Sequence, residues 1–202
     1  MPYKEKYEST LGFIKLLDIF VPYLIQKHLG NKGTAGLKKL LHERSKTIPE
    51  DASFEEKYNI AFDNWMLRWS TVYNFIKVNM GEAGIGEFML ADVEALKKKS
   101  AGPAIYLLKI IRSFSPGTAF SMIARQMAYQ LQVFSPLTVS ELTGKRAVYK
   151  VPRCKILDSP GGEEVCLVGC QVISPKWVAD QFRIKMDTNR QGNSCALTLT
   201  PL

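Results

Sequence analysis

All four cysteines of this chain fall in one stretch, Val148 to Thr200, where β-prone runs alternate with clusters of turn formers. Asp158, Ser159, Pro160, Gly161 and Gly162 separate one pair of such runs, and Thr188 to Ser194 separate another. Between them Ser174 is a good N-cap and Pro175 suits a first helical turn, which predicts a short helix to about Phe182. The stretch therefore reads as hairpin, helix, hairpin.

Strand alternation then places the thiols. Cys166 and Cys170 share a face with Val168 and Val172, Cys154 with Val148 and Ile156, and Cys195 with Leu197 and Leu199. A first hairpin turning near Pro160 and Gly161 brings Cys154 about opposite Cys166 or Leu167, within reach of a second thiol across the ladder. Each cysteine lies on the more apolar face of its strand, as buried core thiols do. A metal cluster, a nucleophilic thiol and a disulfide stay open beside that reading. The spacing C-x11-C-x3-C-x24-C lacks the paired C-x2-C knuckles of structural zinc sites, so no metal is assigned.

The first two thirds read as helical. Leu11, Ile14, Leu17, Val21, Leu24 and Ile25 keep helical spacing over residues 4–29, with Pro22 as a kink position and Gly30 and Asn31 as the stop. A shorter helix follows over 34–45. Ser53 with Glu56 is a capping box that opens a helix to about Met80, carrying the stripe Tyr58, Phe62, Trp65, Met66, Trp69, Val72, Tyr73 and Ile76. Trp65 and Trp69 are candidate walls of a ligand pocket. Gly81, Gly84 and Gly86 make a turn, not a phosphate loop, because no strand precedes them and no Gly-Lys-Ser/Thr follows. Helices over 87–99, 105–113 and 117–133 complete this region, and Arg125 on the last is a candidate carboxylate clamp. No internal repeat is apparent.

Helices first and antiparallel strands last predict one α+β domain over 1–202, with a helical part over 1–143 and a cysteine-containing β-rich part over 144–202. A ligand is expected between the sheet and the aromatic helix. With 46% hydrophobic residues the chain has enough apolar material for a real core. No stretch has the length and apolarity of a membrane span or a secretory signal, so cytoplasmic residence, reduced cysteines and no membrane partner are expected. A net charge of +8 suits a small anionic ligand, yet the cations are dispersed and no nucleic-acid motif is present. A homo-oligomer stays open. His28 and His42 are the only histidines, and neither has an acidic partner fixed by spacing, so no histidine-assisted nucleophile is assumed.

The arrangement VCLVGCQV, short helix, NRQGNSCALTL resembles that of the L-2-amino-thiazoline-4-carboxylic acid hydrolase-like proteins and of the related small-molecule-binding domains named after vinyl reductase. The matching residues are Cys170, which in those families follows the central strand, and Gly192 with Cys195 in the closing strand. Gln171, Val172 and Ile173 stand where those families place an acidic residue. The resemblance implies hydrolytic opening of a thiazoline ring.

Two functions follow. As a hydrolase of a small heterocycle or amide C–N or C–S bond, the protein would use Cys170 or Cys195 as nucleophile, with Asp187 or Asp180 as base and Lys185, Arg183 or Arg190 lowering the thiol pKa. As a non-catalytic small-molecule-binding or accessory subunit, it would keep the cysteines as structural or metal-binding groups. No cofactor is expected on either reading.

Overall fold

The computed structural model describes residues 1–202. Helix α1 spans Tyr3–Arg44 and α2 spans Phe54–Ser100, and each is two helices joined at one glycine. The capping box starts α2 as its spacing predicts: Ser53 Oγ accepts from the Glu56 N–H, and the Glu56 carboxylate accepts from the Ser53 N–H at 2.9 Å. The helical run of α1 continues through Pro22, and its one non-helical residue is Gly30.

Gly30 (φ 62, ψ −162) and Gly81 (φ 64, ψ −159) sit in a backbone region open essentially to glycine alone. The chain reverses at Gly81, since Trp69 meets Phe88 edge-on with ring centroids 5.6 Å apart. The next turn is shared as well. A Cβ on Gly33 would fall 2.4 Å from Leu29 Cβ, and one on Gly84 would fall 2.3 Å from Met80 Cβ.

These matches extend along both helices in constant register. Glu5, Lys6, Tyr7, Val21, Ile25, Gly30, Gly33 and Glu43 recur as Glu56, Lys57, Tyr58, Val72, Ile76, Gly81, Gly84 and Glu94. Ile25 and Ile76 are both fully buried, as are Thr10 and Ala61. The helical layer is thus a repeated helix–Gly-x-x-Gly–helix unit, contrary to the expectation of no repeat. Its two copies differ at most other positions, which hides the pattern.

Helices α3 (Pro103–Phe114) and α4 (Pro116–Leu131) follow, and then a four-stranded antiparallel sheet. Its strands are β1 (Thr138–Leu142), β2 (Ala147–Val151), β3 (Ile184–Gln191) and β4 (Ser194–Pro201), in the order β1-β2-β4-β3. The α+β class holds, but the hairpin expected to turn at residues 158–162 does not form; the first hairpin is β1–β2, so the sheet begins inside the region read as helical. The β3–β4 turn has Gly192 at φ 57 as the first of its two central residues, the glycine position of a type II′ hairpin.

The run VCLVGCQVI forms no strand. A helical turn α5 (Gly162–Glu164) passes into a π-helix over Val165–Ile173 and on into α6 (Ser174–Phe182). Gly162 permits the entry, because a Cβ there would fall 2.0 Å from the Ile156 carbonyl oxygen. Pro175 accounts for the wide turn. A proline inside a continuous helix has no N–H and its ring crowds the carbonyl four residues back, so the preceding turn opens. Accordingly the Ser174 N–H bonds the Gly169 carbonyl, five residues back.

Two hydrophobic cores result. One joins α1 and α2 to Val133, Ile156, Val165 and Ile173, and the other packs α4 and Val178 on Ala147, Tyr149, Ile184, Met186, Leu197 and Leu199 of the sheet. Trp177 touches both.

Candidate functional site

The cysteines mark the seam between the two cores. Cys154 and Cys170 pack against the helical core, and Cys195 packs against the sheet core. They reach the seam from three elements: Cys154 from the segment after β2, Cys166 and Cys170 from the π-helix, and Cys195 from β4. The Cys154 N–H bonds the Asn193 carbonyl at 2.7 Å, and Cys195 pairs with Val151 across the ladder. The sequence-based strand placement holds for Cys195 and fails for Cys154, Cys166 and Cys170, yet the thiols still converge. All four are free.

Their electrostatics run against a thiolate at either candidate nucleophile. Burial pushes the Cys170 thiol well above its ordinary value, and negative charge on Cys166, Cys154 or Cys195 would push it further. Burial pushes Cys195 up to about 11, with Cys154 and Cys166 adding to the effect. A nucleophilic cysteine needs the opposite shift. No three His, Cys, Asp or Glu side chains are arranged to hold a metal ion.

Asp187 is misplaced for the role of base. It pairs with Thr198 on the solvent face of the sheet, whereas Arg190 pairs with Cys195 on the face that carries Leu197 and Leu199. Lys185 Nζ holds Asp187 at 2.8 Å. The Asp180 carboxylate is bound by Lys97 at 3.0 Å and lies below its usual range through that hydrogen bond. His28 hydrogen-bonds Glu87 at the helical turns, remote in the chain from every cysteine.

The thiol with donors aimed at it is Cys166, which sequence reasoning left without a role. Gln171 Nε2 lies 3.7 Å from its sulfur, and the Arg190 guanidinium stands close enough to interact with it electrostatically. Arg190 is fixed in turn by a two-pronged pair with Glu163, one prong at 2.7 Å. The pairing of Arg190 with Cys195 across β3–β4 is readable once the turn at Gly192 is known. The approach of Cys166 depends on the π-helix and is not.

Trp65 and Trp69 belong to the helical core, whereas Arg125 stands on α4, so the candidate ligand residues do not form one site. Trp65 and Trp69 are buried in packed aromatic core, Trp65 against Phe13, Phe62 and Phe134, and Trp69 stacked on Tyr73 at 5.4 Å. Arg125 is exposed on α4. The space expected between sheet and aromatic helix is filled by side chains. An open groove of 610 Å³ lies elsewhere, between the ends of the helical hairpins and Gly161, lined by Arg44, Ser70, Thr71, Asn74, Asn79 and Glu164 among others.

No family model, curated protein or solved structure matches this chain. The family resemblance rests on Cys170, Gly192 and Cys195 alone. No helix is long and apolar enough to cross a membrane.

Proposed function

We propose that this protein is a non-catalytic small-molecule-binding or accessory module whose cysteines pack at the seam of its two cores, with Cys170 and Cys195 kept as neutral thiols by burial. The observation that carries this reading is the packing of Cys170 against the helical core and of Cys195 against the sheet core, a burial that pushes both thiols up. A protonated thiol is a poor nucleophile, and the two candidate bases, Asp187 and Asp180, are held in ion pairs by Lys185 and Lys97. The 610 Å³ groove is the ligand site on this reading: Arg44 supplies a cation, and Ser70, Thr71, Asn74 and Asn79 supply hydrogen-bonding groups. With Glu164 beside them, such a lining suits a small polar molecule that carries both a donor and an acceptor group. Four free thiols accord with a reducing, cytoplasmic setting.

The test is site-resolved alkylation of the native protein with iodoacetamide, read by mass spectrometry from neutral to alkaline pH. Cys170 and Cys195 should react at least about ten-fold more slowly than in denaturant. Fast alkylation of either at neutral pH overturns the reading.

A second reading has one observation behind it. If the protein is a cysteine hydrolase, Cys166 is its nucleophile, since Gln171 Nε2 lies 3.7 Å from the sulfur and Arg190 stands beside it. The same experiment then finds Cys166 reacting first, and Arg190→Met slows it.

A further inference from the structure

We infer that α3 lays this protein against an anionic phospholipid surface. The helix holds to the rest of the fold by one side only. Leu108 packs against the sheet core, Ile105, Ile111 and Arg112 are half-buried, and Arg112 Nη1 donates to the Phe182 carbonyl at 3.2 Å. No residue of the helix is fully buried, although its apolar content is high. On the opposite side Tyr106, Ile110 and Phe114, each four residues from the next, form an outward stripe flanked by Leu107. Phe114 is 87% exposed and Tyr106 70%. An apolar stripe of this kind on a surface helix marks a contact yet to be made.

Charge indicates what covers it. Between Glu94 and Glu141 the chain has no acidic residue, and it carries Lys97, Lys98, Lys99, Lys109, Arg112 and Arg125. At the start of α3 a recess of 390 Å³ is lined by Lys97, Lys98, Ala101, Gly102, Ile105, Tyr106, Lys109 and Gln181. Lys97 is engaged by Glu94 and Asp180 at 2.7 and 3.0 Å, whereas Lys98 and Lys109 make no ion pair. A basic recess beside a convex apolar stripe fits a lipid phosphate above and acyl chains below. A second copy of the chain would set these like charges against each other. No helix crosses a bilayer, but α3 has the features of one that rests on it.

Flotation of the full chain with vesicles tests the inference. Vesicles of phosphatidylcholine containing phosphatidylserine should carry the protein up the gradient, and pure phosphatidylcholine vesicles should bind at least about ten-fold less. Raised salt should weaken the binding. Ile110→Glu with Phe114→Glu, both at exposed positions, should abolish it, and Lys98→Glu with Lys109→Glu should remove the dependence on phosphatidylserine. Absence of flotation, equal binding by the Ile110/Phe114 variant, self-association lost in that variant without vesicle binding, or capture of an acidic protein in place of vesicles would each overturn it.

Discussion

Gly30 and Gly81 hold the same rare backbone conformation, φ 62 with ψ −162 and φ 64 with ψ −159, and each closes one copy of a repeated helical hairpin. Neither would bring an added Cβ within 4 Å of another group, so any cost of substitution is conformational. Gly84 is different: its Cβ would strike Met80 at 2.3 Å.

Gly81→Ala should therefore destabilise by about 1–3 kcal/mol through the backbone alone. Gly84→Ala should cost a comparable amount by displacing the Met80 side chain. Chemical denaturation of both variants checks this. A neutral Gly81→Ala would mean that the reversal does not need a glycine.

Burial pushes Asp92 up to about 7 from an ordinary 3.8. The folded state thus keeps its proton where the unfolded state has lost it. This contribution to stability is complete below the unfolded pKa and is lost as pH rises toward 7, a fall on the order of 2–4 kcal/mol. Asp92→Asn should lose that slope and melt higher than the parent protein at pH 8. Parallel melting curves for parent and variant from pH 5 to pH 8 would contradict the assignment.

Tyr149 is fully buried under α4, and its hydroxyl donates to the Ala124 carbonyl at 2.7 Å. Tyr149→Phe keeps the ring packing and should cost about 1 kcal/mol in denaturant unfolding. Tyr149→Ala, which opens a cavity in the same core, should cost about 3–5 kcal/mol. Equal effects of the two would place the energy in the hydroxyl and contradict the packing account.

Much of the helical layer was legible because its signals are local. The Ser53–Glu56 capping box, the stop at Gly30 and the aromatic stripe from Tyr58 to Ile76 each work within a few residues, and each stands where the sequence puts it. The π-helix was not legible. VCLVGCQVI is short, apolar and rich in β-branched residues, and periodicity cannot separate a buried helix from a strand in such a run. What decides it is tertiary: Gly162 against Ile156, and Pro175 ahead. Trp65 and Trp69 show the same limit from the other side. Their spacing identifies an inward face, but only packing tells whether that face meets a ligand or Phe88 and Phe134. Asp187 fell on the wrong face because register, set at Gly192, fixes which side of β3 it takes.

The central claim is that the four cysteines are packed core thiols of a proposed binding module, with Cys170 and Cys195 held neutral by burial. Elemental analysis with thiol counting on anaerobically purified protein, native and then denatured, tests it most directly. The account predicts no stoichiometric metal, sluggish thiols in the native state, and release of all four together on unfolding. One fast native thiol, or bound metal with thiols masked until it is removed, would contradict it.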